Sequence, residues 1–227
     1  MNARVLVLMI GWLLCVVAGV ACSGEDVLEP FDDIDVVGRD TNPEGDAYPT
    51  DDWGMRPRNG RTPGQRVPNF SFQGYPDSNK KAGLQVVSFA DYYDPLQLHH
   101  KLLFLVGVSA YCPHCQAETR DIVANTREMQ DGGVRVVQVM LEGGKRGRAL
   151  SIVDLDRWVD AMRTEFTVLI DADARRLGSV AYIAGVPWNV LIDTRSMEVL
   201  AIASGVLNSR EAAEVGITWV DSNSARP

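Results

Sequence analysis

Cysteine is scarce in this chain, with four among 227 residues, and two of the four, Cys15 and Cys22, lie in an apolar N-terminal segment. Only Cys112 and Cys115 remain for the rest of the protein. A pair separated by two residues closes too small a loop to stabilise a fold appreciably. A small domain held together by several disulfides is therefore excluded.

Basic residues and histidines are also few. The formal net charge is −8 and no long basic block occurs, so we expect no nucleic acid partner. A zinc site at the cysteine pair would need two further ligands, and the only histidines are His99, His100 and His114. Neighbouring side chains such as His99 and His100 diverge, and we interpret both as solvated loop residues. We expect no metal and no cofactor.

The longest apolar run lies at the N-terminus. Residues 1–4 are short and positively charged, and residues 5–21 are almost entirely apolar, which is the layout of a signal peptide over residues 1–21. The run ends in small residues directly before Cys22 and resembles a bacterial lipobox. That resemblance implies cleavage before Cys22 and a lipid on its sulfur. Gly19 stands where leucine is usual, which leaves ordinary cleavage or an uncleaved anchor as alternatives.

In each of these cases the rest of the protein is exported. We expect a lipid-anchored domain in the periplasm or another extracytoplasmic space of a bacterium, where disulfides can form. Residues 24–66 contain 11 acidic residues and five arginines, a net charge of −6, with no helical or strand periodicity. We therefore predict a lipidated, acidic, disordered tether over residues 22–66 and a folded domain over residues 67–227.

The folded part alternates strand and helix patterns. Segments 67–72 and 84–89, separated by turn-forming residues, predict an antiparallel hairpin at its N-terminus. The apolar run 101–109 predicts a strand buried on both faces. A helix over 113–130 and a second buried strand over 134–141 complete a right-handed β-α-β unit.

Five further elements follow in the second half of the domain. We predict a helix over 151–164, a strand over 167–170, a short helix over 173–180, a hairpin of strands 188–192 and 197–203, and a helix over 209–220 capped by Asn208 or Ser209. The pattern is that of an α/β domain with a central mixed sheet flanked by helices and extended by N-terminal strands.

Cys112-Pro113-His114-Cys115 lies where the central strand gives way to the first helix. A C-x-x-C at such a junction indicates thiol–disulfide chemistry. At a helix start, free backbone N–H groups favour the thiolate of Cys112, and helical spacing brings Cys115 to the same side. Inert core thiols are the plain alternative, but the intervening Pro113 and His114 are not typical of an apolar core.

Three signatures together resemble the TlpA-like, redoxin type of thioredoxin-fold protein. They are residues 67–70 with 87–92, the apolar strand leading into residues 111–115, and Gly185-Val186-Pro187 leading into residues 190–193. The resemblance covers nearly all of the folded part. It implies a thioredoxin fold with thiol–disulfide oxidoreductase activity.

The same resemblance assigns roles to individual residues. It implies that Cys112 is the nucleophile, that Cys115 is the resolving thiol, and that Pro113 and His114 tune their redox chemistry. The bond between Val186 and Pro187 would be cis and face the disulfide, although composition alone leaves its isomer open. The backbone of Val186 would pair with an extended protein substrate.

The expected activity is an extracytoplasmic thiol–disulfide exchange with protein substrates, supported by a membrane redox partner. Its direction stays open, because His114 favours an oxidising pair whereas TlpA-like lipoproteins usually act as reductants. The alternative is a binding module or a copper(I)-handling protein without oxidoreductase turnover. The Thr-x-x-Cys pattern of peroxide-reactive relatives is absent, since Ser109 stands three residues before Cys112.

One departure from the family concerns proton transfer. Many relatives carry a carboxylate beneath the site, six residues before the first cysteine, where this chain has Val106. Glu118 and Glu142 are conceivable substitutes, but buried acids are rare and we interpret both as solvated surface residues.

Overall fold

The computed structural model describes residues 36–50, 63–180 and 185–223. The predicted signal peptide and Cys22 lie outside these residues. Within the described part of the chain, no helix combines the length and apolar character that crossing a membrane would require.

Seven strands of the described residues form one mixed sheet, namely Ser71–Tyr75 (β1), Gln85–Ser88 (β2), Leu102–Ser109 (β3), Val134–Glu142 (β4), Thr167–Ile170 (β5), Trp188–Asp193 (β6) and Glu198–Ser204 (β7). Their order across the sheet is β2-β1-β5-β4-β3-β6-β7. The central strands β3, β4 and β5 are parallel to one another, and all other neighbours pair antiparallel. The N-terminal hairpin is confirmed by the pairing of β1 with β2.

Four α-helices accompany the sheet in the part of the chain that the structure describes. They are Pro113–Asp131 (α1), Ile152–Met162 (α2), Leu177–Val180 (α3) and Ser209–Ser222 (α4). The predicted helix over 173–180 is split, because Asp173 has a positive φ of 58° inside a short 3₁₀ turn that precedes α3. Asn208 caps α4 by accepting from the backbone of Glu211. The predicted α/β class and mixed sheet are confirmed.

Strand β3 is buried along its whole length, as its unbroken apolar sequence predicts. Alternate residues point to opposite faces of the sheet, so the strand contributes side chains to two hydrophobic cores. Phe104 and Val106 join the core beneath α1, α2 and α4. Leu103 and Leu105 join the second core on the opposite face. This double burial fixes the position of the β3–α1 junction, where the two cysteines lie.

Residues 36–50, here called the N-terminal arm, pack against the domain. The hydroxyl of Tyr48, which is buried, donates to the carbonyl of Val67 at 2.5 Å. The amide of Asn42 donates to the carbonyl of Tyr93 at 3.0 Å. The prediction of a disordered tether is therefore wrong for this segment. Irregular chain that packs through single side chains has no periodicity for a sequence pattern to reveal.

The folded domain also begins before residue 67. The buried Arg66 donates through Nε to the carbonyl of Ser196 at 2.7 Å. Its backbone forms an antiparallel bridge with Glu198, and the N–H of Gly64 donates to Val199 at 2.8 Å. The predicted tether boundary at residue 66 is thus too late by several residues, because these contacts lie between backbone groups far apart in sequence.

The adjacent histidines have different environments. His99 is exposed and contacts Glu44 of the N-terminal arm, with Nε2 2.9 Å from the carboxylate. His100 is buried, contrary to prediction, and its Nε2 lies 3.0 Å from the carbonyl of Tyr92. Because a carbonyl can only accept, this nitrogen carries the proton. Burial lowers the pKa of His100, which favours the neutral ring.

Candidate active site

Cys112 stands at the first turn of α1. Strand β3 ends at Ser109, whose carbonyl accepts from the backbone N–H of Cys112 at 3.0 Å. Pro113 then occupies the first helical position, where no backbone donor is needed. The sulfur of Cys112 accepts from the backbone N–H of Cys115 at 3.3 Å and so caps the helix. Both cysteines are free thiols in this structure.

The sulfur of Cys112 faces the turn that precedes β6. Its thiol donates to the carbonyl of Val186 over 3.7 Å, and the peptide bond between Val186 and Pro187 is cis, as expected. Pro187 is buried, whereas Gly185 is exposed. Two segments distant in sequence, the start of α1 and the turn before β6, therefore meet at the sulfur of Cys112.

An open cleft of about 590 Å³ lies beside Cys112. Its other lining residues include Tyr111, Leu141, Glu142, Arg146, Asp173 and Gly185. Cys112 retains 7% exposure, whereas Cys115 has none. An approaching thiol or disulfide can therefore reach Cys112 from the cleft and cannot reach Cys115 without passing it.

Glu142 is held at the cleft by two hydroxyl groups. Its Oε2 accepts from Ser109 Oγ at 2.9 Å and from Tyr111 Oη at 2.8 Å. The side chain is half-buried, so the prediction of an ordinary solvated residue is only partly correct. Glu142 orders the residues that lead into Cys112.

Cys115 lies on the closed side of the same turn. Burial raises its pKa well above the ordinary value, and contact with Cys112 and the charge of Glu118 act in the same direction. Its carbonyl accepts from the hydroxyl of Thr119 at 2.7 Å. The Cys115 thiol thus needs a proton acceptor nearby if it is to react at neutral pH.

Glu118 is buried beneath the site, with 1% exposure, so its interpretation as a surface residue is wrong. Helix α1 buries Cys115, Glu118, Thr119 and Ile122 on one face, at the spacing of three and four residues expected for a helix packed on a sheet. The signal was therefore present in the sequence, because Glu118 lies three residues after Cys115.

The carboxylate of Glu118 is held by two donors. Its Oε1 accepts from Leu207 N at 2.7 Å and from Asn189 Nδ2 at 3.1 Å. Burial raises the pKa of Glu118 to about 7, against the opposing effect of these two hydrogen bonds. A carboxyl group with this pKa exchanges its proton at neutral pH. Val106, where relatives carry an acid, is buried in β3 opposite Asn189, so here the acid comes from the helix.

A buried polar chain also supports the first turn of α1. Trp158 Nε1 donates to Gln138 Oε1 at 2.6 Å, and Gln138 Nε2 donates to Thr119 Oγ1 at 2.9 Å. The hydroxyl of Thr119 in turn donates to the backbone carbonyl of Cys115. Trp158 is buried, and its indole orients this chain of hydrogen bonds, which sequence reasoning missed.

Among residues 36–50, 63–180 and 185–223, no group of three or more histidine, cysteine, aspartate or glutamate side chains is arranged to hold a metal ion. Pro113 and His114 are both exposed in the first turn of α1. The described site is thus a pair of thiols with a buried carboxyl group behind one of them.

A family model matches most of the folded part of this chain. Residues 63–195, more than half of the chain, match the AhpC/TSA family. The chain belongs to the AhpC/TSA family. No curated protein matches at a significant level.

Solved structures share the fold at low sequence identity. A secreted thiol-disulfide isomerase from Corynebacterium glutamicum aligns with a TM-score of 0.55 and 15% identity, covering 72% of this chain and 91% of its own. A protein from Chlorobium tepidum assigned as thiol:disulfide interchange protein DsbE aligns at 0.52 with 22% identity, covering 68% and 94%. The exposed lipoprotein thioredoxin Etrx1 from Streptococcus pneumoniae aligns at 0.51 with 18% identity, covering 67% and 99%. These alignments confirm the expected thioredoxin fold.

The structure brings four of the predicted site residues together: Cys112, Cys115, Val186 and Pro187. It adds Glu118, which the sequence interpretation had set aside, and Asn189, which it had not considered. The predicted lipidation site Cys22 lies outside the described residues.

Proposed function

We propose that this protein is an extracytoplasmic thiol–disulfide oxidoreductase that exchanges with protein substrates through Cys112 and Cys115. The observation that carries the proposal is the asymmetry of the pair. Cys112 lines an open cleft against the carbonyl of Val186, whereas Cys115 is fully buried with the carboxyl group of Glu118 nearby. An accessible nucleophile followed by a shielded resolving thiol is what a two-step exchange requires.

In the first step the thiolate of Cys112 attacks one sulfur of a substrate disulfide. A bond forms between the two sulfurs, and the other substrate sulfur leaves as a thiolate. The backbone of Val186 borders the reacting sulfur and Val186 lines the cleft, a position that suits pairing with an extended substrate segment. His114 and Pro113, exposed between the cysteines, adjust the stability of the thiolate.

In the second step Cys115 loses its proton to the carboxylate of Glu118 and attacks the sulfur of Cys112. The mixed disulfide breaks, the second substrate thiol is released, and a Cys112–Cys115 disulfide remains. The substrate is reduced by two electrons and the protein is oxidised. Because exchange is reversible, the same groups serve an oxidant, with Glu118 then returning the proton to Cys115.

A membrane redox partner would restore the starting state, and a lipid on Cys22 would keep the domain beside that partner. The lipobox-like sequence before Cys22 supports this anchor. Mass spectrometry of the protein from its native membrane should find a diacylglycerol on Cys22, and Cys22→Ser should release the domain. Protein with an unmodified N-terminal cysteine would contradict the anchor without affecting the exchange chemistry.

Equilibration with glutathione followed by thiol trapping would establish the activity and its direction. A potential near −270 mV would identify a reductant, and one above about −200 mV an oxidant. Cys112→Ser should abolish turnover of a protein disulfide, and turnover retained in that variant would exclude the proposal. Stoichiometric copper(I) in anaerobically purified protein, without turnover, would instead indicate a copper-handling protein.

A further inference from the structure

A buried side-chain amide on the sheet beside α1 contacts the carboxyl group of Glu118. Asn189 lies in β6, two residues after Pro187, and is 2% exposed. Its Nδ2 donates to Glu118 Oε1 at 3.1 Å and to the carbonyl of Gly205 at 3.0 Å. The amide therefore joins the proposed proton acceptor to the segment that follows β7.

The orientation of this amide is determined by Gly205. A backbone carbonyl only accepts hydrogen bonds, so the NH₂ group must face it, and the same NH₂ group then faces Glu118. Gly205 has a φ of 97°, which a residue with a side chain rarely adopts. Asn189 can thus act on Glu118 only as a donor, and a donor favours the ionised carboxylate.

Two buried oxygen atoms beside this contact have no hydrogen-bond partner among the described residues. They are Glu118 Oε2 and Asn189 Oδ1. An unpaired buried acceptor is unfavourable, so each one in a folded protein calls for an explanation. An apolar residue at position 189 would remove the unpaired Oδ1 atom. We therefore attribute the presence of an amide here to the hydrogen bond that its NH₂ group donates to Glu118.

Of the other groups around Glu118, the backbone N–H of Leu207 acts in the same direction as Asn189, whereas the titratable groups oppose it. The titratable groups acting with it are Cys115 and Asp121, both on α1, and negative charge on either opposes ionisation of Glu118. From β6 and the segment after β7 it meets neutral donors, the amide of Asn189 and the backbone N–H of Leu207. The backbone donor is present whatever the sequence, whereas the amide depends on residue 189.

We infer that Asn189 is a positioning residue, which fixes the carboxylate of Glu118 beside Cys115 and keeps it available in its ionised form as a proton acceptor. The inference rests on the proposed function. Gly205 also donates through its backbone N–H to the carbonyl of Pro187 at 2.9 Å. The segment that orients Asn189 is therefore the one that supports the proline turn facing Cys112.

Asn189→Val and Asn189→Thr form a matched pair that tests this inference, since the two side chains have similar shapes and only threonine retains a donor. The carboxyl group of Glu118 is followed by ¹³C NMR across the pH range, with Glu118→Gln to assign its signal. Asn189→Val should raise the titration midpoint by about one pH unit. Asn189→Thr should raise it less. Asn69→Val, which removes an amide bonded to Arg39 and Ala90, should leave it unchanged.

An unchanged midpoint in Asn189→Val, or equal shifts in the valine and threonine variants, would overturn the inference. The wild-type protein offers a readout that does not depend on the variants folding. The side-chain amide signals of Asn189 should titrate with the same midpoint as Glu118, and pH-independent signals would also overturn it. These titrations need no substrate, so a wild-type protein without disulfide turnover would refute the proposed function while leaving the Asn189–Glu118 contact to be decided separately.

Discussion

The two sides of the turn that carries the cysteines differ in almost every physical respect. On the open side, Cys112 borders a cleft of about 590 Å³, and the carboxylate of Glu142 is half-buried and bonded to two hydroxyl groups. On the closed side, Cys115 has no exposed surface and Glu118 is 1% exposed. Each side has one thiol and one carboxyl group, and on the closed side burial raises the pKa of both groups.

The contrast indicates that the two thiols have different roles in the proposed exchange. A thiol that meets substrates must be accessible, whereas a thiol that closes the reaction must be shielded so that it does not react first. Shielding removes water and raises the pKa of Cys115, and a proton acceptor in the same dry environment becomes necessary. The open side has water as an acceptor, so Glu142 serves the backbone path into Cys112 instead.

The largest expected effect comes from the two thiols themselves. Cys115→Ser should retain the first step and accumulate a mixed disulfide through Cys112, because no resolving thiol remains. Non-reducing gel electrophoresis after incubation with a protein disulfide would show the trapped complex. Cys112→Ser is the matched control and should trap nothing. A complex formed through Cys115 in that control would reverse the assignment of open and closed sides.

Glu118→Gln should slow the second step by about 100-fold at pH 7, because the variant lacks a general base for Cys115. In the wild-type protein the rate of release should rise with pH around the Glu118 pKa of about 7. This dependence should disappear in the variant. Single-turnover kinetics across pH 5–9 would measure both effects. An unchanged pH profile in Glu118→Gln would mean that Cys115 loses its proton by another route.

The same substitution should change stability in a pH-dependent direction. The pKa of Glu118 is raised from 4.5 to about 7 in the folded protein. Between these values the folded state keeps a proton that the unfolded state has lost, so stability falls as pH rises through this window. Glu118→Gln should therefore be more stable than wild type by about 2–3 kcal/mol at pH 8 and similar to it at pH 4. Urea unfolding at both pH values would measure the difference.

The smallest effect is expected on the open side. Glu142→Gln retains an acceptor for Ser109 and Tyr111, so turnover should fall by less than about fivefold, as for most substitutions at partly exposed sites. The pH profile should keep the midpoint set by Glu118. Loss of the pH dependence in Glu142→Gln, as expected for Glu118→Gln, would show that both carboxyl groups handle the proton, and the contrast between the two sides would not hold.

Much of the fold could be predicted because its elements are local and periodic. The run that forms β3 is apolar throughout, since both faces of this strand are covered. The N-terminal arm could not be predicted in this way. Its order depends on Tyr48 and Asn42 meeting single carbonyl groups far along the chain, and such contacts leave no pattern in the local sequence.

The candidate site shows the same difference between features set by local sequence and features set by long-range contacts. The spacing of Cys112 and Cys115 at a strand-to-helix junction was sufficient to indicate redox chemistry, because helix geometry alone brings residues three apart together. The environment of Glu118 depends on which face of α1 meets the sheet and on Asn189 and Leu207 approaching from distant segments. The sequence by itself thus determined which two sulfurs form the candidate redox pair. The tertiary structure decided which of them is shielded and which carboxyl group lies near it, because burial and hydrogen bonding arise only when distant segments pack together.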